Sequence, residues 1–144
     1  MIDPTLQNDL RLLALQVENW KKLHSFMSYA LDKAKPIISV EQERQFTEVR
    51  GVLFQESEHV FEEVNIVEEA AGKTMNVLQR ATSLRGLRDL PASEAGRLEA
   101  DWNAVFTKLG VLQGKLKARR KELRSRSAFS VSVSRLFARR ATVA

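Results

Sequence analysis

Residues 98–116 read LEADWNAVFTKLGVLQGKL. Large apolar side chains recur in this stretch at alternating steps of four and three, at Leu98, Trp102, Val105, Leu109, Leu112 and Leu116. Residues with this spacing form one row along an α-helix, and such rows are typical of helices that pack lengthwise against other helices. The stretch therefore predicts a long helix, over about 93–124, with a buried seam on one side.

The N-terminal part of the chain shows the same spacing. Asp3 supplies a capping side chain, and Pro4 has the fixed φ that suits a first helical turn. The seam positions that follow are Leu6, Leu10, Leu13, Val17, Trp20, His24, Met27, Leu31 and Ala34. A second apolar row lies beside them, at Leu12, Leu15, Leu23, Phe26 and Ala30. Because Pro36 disfavours a helical conformation in the residue before it, the pattern predicts a helix over about 4–35, packed on two sides.

A second helix is predicted over about 40–72. Ser39 and Gln42 have the spacing of a capping box, which opens a helix. The apolar row is formed by Phe46, Val49, Leu53, Val60, Val64, Val67 and Ala71. Its regular spacing slips near Ser57, so the seam is expected to be interrupted there.

Gly72 predicts a break or kink, because a glycine in a helix interior costs about 1 kcal/mol. A shorter helix, over about 73–84, is expected to follow. Residues 83–93 then form the main connection to the last long helix.

The fold class predicted is all-α, an elongated antiparallel three- or four-helix bundle or coiled coil. At 144 residues the chain is long enough to bury roughly 70% of its unfolded surface as one domain. Trp20 and Trp102 lie on the seams of the first and last helices. Paired tryptophans at such positions resemble the three-helix spectrin-type repeat, from which the extra segment 73–90 departs. The likeness implies a shape and no particular function.

Composition argues against several functional classes. The chain has no Cys, which excludes disulfides, thiolate nucleophiles and Cys-ligated zinc. No glycine-rich phosphate loop and no Ser-His-Asp arrangement is suggested. No apolar run approaches the ~20 residues of a membrane span. We expect a cytoplasmic protein that is not an enzyme, with no catalytic residues and no cofactor.

The two histidines, His24 and His59, are the candidate metal ligands. Glu56, His59 and Glu63 are three and four residues apart, so they share one helical face. This spacing resembles the Glu-x-x-His element of di-metal carboxylate bundles, but those sites need further elements on other helices. A solvated acidic stripe is therefore the favoured interpretation, with a mononuclear site of His24, His59 and a glutamate as the alternative. His24 occupies a seam position, where a half-buried structural histidine is expected.

Charge is distributed unevenly along the chain. Residues 115–144 carry ten Lys or Arg and one acid, Glu122, whereas the remaining residues carry thirteen bases and seventeen acids. The two parts therefore have net charges of +9 and −4. Cations near a helix C-terminus complement the helix dipole, which explains only some of the basic residues.

A basic-apolar tail is predicted over 125–144. Its first four residues, 125–128, are expected to form a hinge-like link to the last helix. Its candidate partner-binding residues are Arg126, Phe129, Val133, Arg135, Leu136, Phe137, Arg139 and Arg140. As a strand, the segment would place Phe129, Val131 and Val133 on one face. As a helix, it would instead group all the large apolar residues, and the helix is the favoured interpretation.

The sequence thus predicts a non-enzymatic scaffold or assembly protein. Its first expected partner is another protein, including a second copy (a homo-oligomer), contacted through the heptad seams and the tail. The acidic residues between Glu56 and Glu69 could receive a tail from another copy. An anionic membrane surface is the second expectation. Nucleic acid is the third, because the tail has Lys and Arg for phosphate but few aromatic residues for base stacking.

Overall fold

The computed structural model describes the backbone of residues 4–64 and 68–143, and the side chains of 4–60, 71–126, 128 and 129. It contains the helices α1 (Pro4–Leu31), α2 (Val40–Val64), α3 (Glu68–Arg80), α4 (Leu84–Arg88) and α5 (Ala92–Val143). No strand occurs among these residues, and the all-α prediction is confirmed. Within the same ranges, none of the helices combines the length and apolarity needed to cross a membrane.

The start of α2 has the predicted capping box. The backbone N–H of Gln42 donates to the Ser39 hydroxyl (3.1 Å), and the backbone N–H of Ser39 donates to the Gln42 side-chain oxygen (2.8 Å). Each side chain therefore satisfies a donor that the helix itself leaves without a partner.

The end of α1 lies at Leu31, four residues earlier than the sequence predicted. Asp32 forms a turn directly after it: its carboxylate accepts from the backbone N–H of Ala34 (3.0 Å), and its carbonyl accepts from Lys35 (3.1 Å). An aspartate side chain competes for backbone donors in this way and ends helices. The stop therefore comes from Asp32, before the effect of Pro36 is reached.

The break predicted at Gly72 is wrong, because α3 passes through that residue without interruption. Residues 65–67 lie outside the described range. The α3 helix lies alongside α2, since the Arg50 guanidinium donates to the Leu78 carbonyl across 2.8 Å. It ends at Arg80 rather than near residue 84.

The connection after α3 contains a helix that the sequence did not predict. Ser83 caps α4, and its hydroxyl accepts from the backbone N–H of Gly86 (3.0 Å). The Glu43 carboxylate, from α2, accepts from the backbone N–H groups of Leu84 (3.1 Å) and Arg85 (2.8 Å). These backbone donors are satisfied by a residue about forty positions away, which a local sequence pattern cannot reveal.

The last helix, α5, contains 52 residues and has no break at 125–128, so the predicted hinge-like link is wrong. Its backbone stays helical through Val143, as in the helical interpretation of the tail. Serine and valine are weak helix formers, but neither interrupts the helical hydrogen-bond pattern as proline does.

The contacts between α1 and α5 occur in reversed order along the two helices. Trp20 of α1 lies against Trp102 of α5, and His24, further along α1, lies against Glu99, earlier in α5. The α1–α2 pair has the same reversed order: Gln16 bonds to Ser57. Phe26 lies edge-on to Phe46, with ring centroids 6.2 Å apart. The α3 helix also contacts α5, where Arg80 pairs with Asp101.

The core lies between these helices and follows the predicted seams. The largest fully buried side chains include Leu13, Trp20, Leu23, Met27, Phe46, Leu53, Leu78, Leu98 and Leu109. In α2 the apparent slip in spacing is explained by Ser57, which is fully buried at a seam position and accepts from the buried Gln16 amide (2.9 Å). One predicted core residue, Leu15, is 53% exposed.

Candidate interaction surface

The last helix extends well past the helix it packs against. Pro4, where α1 begins, lines the same surface cavity as Lys117 and Arg120 of α5. The start of α1 therefore lies level with these residues. At 1.5 Å per residue, the 23 residues of α5 beyond Arg120 reach about 35 Å further. We call residues 121–143 the overhang.

The core does not extend into this region. Within α5 the fully buried residues end at Leu109, and Leu112 and Leu116 are only partly buried against the core. Past Leu116, each described side chain is half-buried or exposed. In the described part of the overhang, residues 121–126, 128 and 129, no side chain is fully buried.

The overhang and the turns before it are strongly basic. The exposed bases in the described part are Lys115, Lys117, Arg119, Lys121, Arg124 and Arg126. Arg126 pairs with Glu122 across one helical turn, at 2.6 Å between nitrogen and oxygen. Such an exposed pair contributes little stability, so Arg126 stays available to a partner. Phe129 is 72% exposed and is the most exposed aromatic side chain in the described range.

The other predicted partner-binding residues follow in the same helix. Their backbone is helical, and their side chains lie outside the described ones: Val133, Arg135, Leu136, Phe137, Arg139 and Arg140. Their sequence spacing still groups the apolar members on one helical face.

An acidic segment lies at the end of the molecule from which the overhang extends. Residues 51–72 include six Glu and no Lys or Arg. The C-terminal half of α2 belongs to this segment, and it lies beside the N-terminal half of α1, as the Gln16–Ser57 bond shows. Glu56 and Glu58 are exposed there.

A groove of about 480 Å³ runs between α1 and α2 at this acidic end. Leu15 and Val52 line it from opposite sides, and they are 53% and 43% exposed. Glu56 and His59 form part of the α2 wall, and Arg11 lies on the α1 wall. The lining of the groove therefore combines apolar surface with one acidic and one basic side chain, Glu56 and Arg11.

The histidines occupy two separate environments. His24 stacks on Trp102, with ring centroids 4.0 Å apart, and its Nε2 lies 2.9 Å from the Glu99 carboxylate. It is half-buried, as expected for a seam histidine. His59, in contrast, lines the groove between α1 and α2.

The candidate metal ligands are not brought together in the described part of the chain. Glu56 and His59 share the groove wall, His24 faces α5, and the side chain of Glu63 lies outside the described ones. Among the side chains that are described, no group of three or more His, Asp or Glu is placed to hold a metal ion.

The groove was not predicted from the sequence. The periodicity placed Leu15 in a second buried row of α1, so its exposure beside Val52 was missed. A weak signal was present, because three of the four residues that adjoin Leu15 on a helical face are polar: Arg11, Glu18 and Asn19. Only the position of α2 determines that this row is partly open to solvent.

Comparisons with protein-family models, with curated proteins and with solved structures find no match for this chain.

Proposed function

We propose that this protein is a non-enzymatic assembly component, in which a helical body presents the basic overhang to an acidic protein surface. The body would be an elongated antiparallel bundle of α1, α2, α3 and α5. This arrangement is supported by the reversed order of contacts between α1 and α2 and between α1 and α5. The chain of contacts from α1 to α2, α3, α5 and back to α1 supports it as well.

The overhang carries the proposal. It extends a helix about 35 Å past the body and combines exposed bases with exposed Phe129. Helices that present an apolar row flanked by charge commonly bind by laying that row in a groove. The basic residues would select an acidic acceptor and speed its encounter.

The test compares the mass in solution of the full chain with that of a chain ending at Arg124. The fully buried core residues of the described chain lie before Leu112. The shortened chain should therefore lose only the helix formed by residues 125–143 and keep its unfolding midpoint. We expect the full chain to form assemblies, alone or with an acidic partner protein, that the shortened chain does not form.

A full-length variant distinguishes a specific apolar contact from nonspecific electrostatic association. Phe129→Ser combined with Phe137→Ser should weaken assembly by at least tenfold and leave the net charge unchanged. A matched control, Ser125→Ala with Ser127→Ala, should assemble like the original chain. Equal assembly by the full chain, the Phe variant and the shortened chain would contradict the proposal.

An anionic membrane surface is the second candidate partner. Exposed Phe129 beside basic residues favours it, because interfacial helices pair an apolar face with Lys and Arg. It predicts salt-sensitive sedimentation with anionic vesicles but not with neutral ones, lost in the Phe129→Ser, Phe137→Ser variant. Nucleic acid, the third candidate, predicts a complex whose affinity falls steeply with salt.

A further inference from the structure

We propose that the acceptor of the overhang is the groove between α1 and α2 in a second copy of this chain. Two molecules would meet at their acidic ends, related by a two-fold axis, and each overhang would lie in the groove of the other. The inference rests on the proposed function and adds to it the identity of the partner and the position of the acceptor.

Charge favours the groove over the other surfaces of a second copy. Two overhangs lying against each other would bring like charges together, which is unfavourable. The acidic segment 51–72 carries six Glu with no base, whereas residues 115–144 have a net charge of +9. The α2 wall of the groove belongs to this acidic segment and presents Glu56. The base in the lining, Arg11, lies on the α1 wall and donates to the Asn8 side chain (2.9 Å). Glu63 lies seven residues further along α2, a spacing that continues the same row.

The groove also offers apolar surface of the right kind. Leu15 and Val52 are about half exposed on its two sides, and Leu12 and Val60 form buried parts of its lining. A large apolar side chain such as Phe129 would cover this surface. Removing this apolar area from water would favour the contact.

The lengths of the two elements match. Arg11 and Asn19, which mark the groove along α1, lie seven and fifteen residues from Pro4, or about 11–23 Å from the end of the body. Phe129 and Phe137 lie nine and seventeen residues past Arg120, or about 14–26 Å beyond that same level. When two bodies meet end to end, the apolar part of each overhang reaches the groove of the other.

Two-fold symmetry makes the contact reciprocal and closed. Each molecule has one overhang and one groove at the same end. One symmetric pairing therefore engages both overhangs and fills both grooves. The assembly should therefore stop at a dimer of twice the 16.4 kDa chain mass.

The test uses two full-length charge-reversal variants, with mass measured by light scattering. The overhang variant carries Arg135→Glu and Arg139→Glu, and the groove variant carries Glu56→Lys and Glu63→Lys. Each variant alone brings like charges together and should be monomeric at concentrations where the original chain is dimeric. An equimolar mixture restores opposite charges at both contacts and should regain the dimer mass.

A control matched to the groove variant carries Asp89→Lys and Glu94→Lys, which add the same charge as Glu56→Lys with Glu63→Lys but at the opposite end of the body. It should dimerise like the original chain, and circular dichroism should show equal helical content in all variants. An original chain that stays monomeric would overturn the inference. An overhang variant that loses assembly while the groove variant keeps it would overturn the groove as acceptor and leave the proposed function standing.

Discussion

Trp20 and Trp102 bond to each other twice. The indole N–H of each donates to the backbone carbonyl oxygen of the other, both across 3.1 Å, and the rings are nearly parallel with centroids 6.1 Å apart. Because both residues are buried, each bond satisfies a donor and an acceptor that water does not reach. The pair thereby fixes the register between α1 and α5.

Trp20→Phe keeps an aromatic ring but removes one of these bonds, and it leaves the Trp102 carbonyl without that partner. We expect the free energy of unfolding to fall by about 1–3 kcal/mol, measured by urea denaturation. Trp102→Phe should cost a similar amount. A loss below about 0.5 kcal/mol in either variant would show that the bonds contribute no net stability.

The buried polar pair of Gln16 and Ser57 leads to a second prediction. Ser57→Ala leaves the Gln16 amide buried and without its 2.9 Å partner, so it should cost about 1–3 kcal/mol. Adding Gln16→Leu should recover part of this loss, because an apolar pair has no unmet hydrogen bond. A double-mutant cycle measured by urea unfolding gives the coupling energy, which should exceed about 0.5 kcal/mol. The exposed Ser25→Ala is the matched control and should change stability little.

Arg88 connects α4 to the end of α1. Its guanidinium donates to the carbonyls of Tyr29 (3.0 Å) and Ala30 (3.0 Å), which the last turn of α1 leaves without helical partners. It also donates to the carbonyls of Lys35 (3.1 Å) and Pro36, in the connection that follows α1.

Lysine is a compact cation and cannot reproduce the planar, five-donor geometry of arginine. We therefore expect Arg88→Lys to reduce the free energy of unfolding by about 2–3 kcal/mol. Arg85→Lys, an exposed substitution in the same short helix, should leave the denaturation midpoint nearly unchanged. Equal midpoints for the two variants would show that the hydrogen bonds of the Arg88 guanidinium contribute no stability.

A pH dependence is expected at the start of α2. The Arg44 guanidinium, hydrogen-bonded to Glu41, lowers the pKa of that carboxyl below its usual value. A carboxyl whose pKa is lower in the folded state stabilises the fold above its unfolded pKa, and the contribution is lost as the pH falls through the folded pKa.

Glu41→Gln should thus have a slightly lower melting temperature than the original chain at pH 7. The two curves should converge as the pH falls below about 4. The difference should also shrink in roughly 1 M salt, because the pair is exposed and screened. A gap that widened at acid pH would have the wrong sign for this pair.

Periodicity alone predicted the elements that pack by repetition. Leu98, Trp102, Val105 and Leu109 are buried as their spacing predicts, and the Ser39–Gln42 capping box forms. These features depend on neighbours three or four residues away, so one helix contains all the information.

The errors concern contacts between distant parts of the chain. The half-exposed Leu15 and the buried Ser57 depend on where α2 lies relative to α1. Arg88 reaches carbonyls more than fifty residues away, and no local pattern marks such a partner. At Gly72, the glycine penalty is about 1 kcal/mol, which the packing of α3 against α5 can outweigh.

The candidate surface was predictable in composition but not in geometry. The sequence showed that basic and apolar residues are interleaved after Ser125. Its predicted hinge, however, would have left the direction of that segment free. The continuous course of α5 and the groove beside Leu15 could only be seen in the folded chain.

The unbroken course of α5 through residues 125–128 affects how a partner is captured. A segment joined by a flexible hinge loses backbone freedom when it docks, about 1–2 kcal/mol for each residue that becomes ordered. A helix already formed and continuous with the body has lost that entropy on folding, so more of its contact energy is left for affinity. The packing of Trp102 and its neighbours against α1 fixes the direction of the whole α5 helix. The body therefore determines where the C-terminal end of α5 can bind.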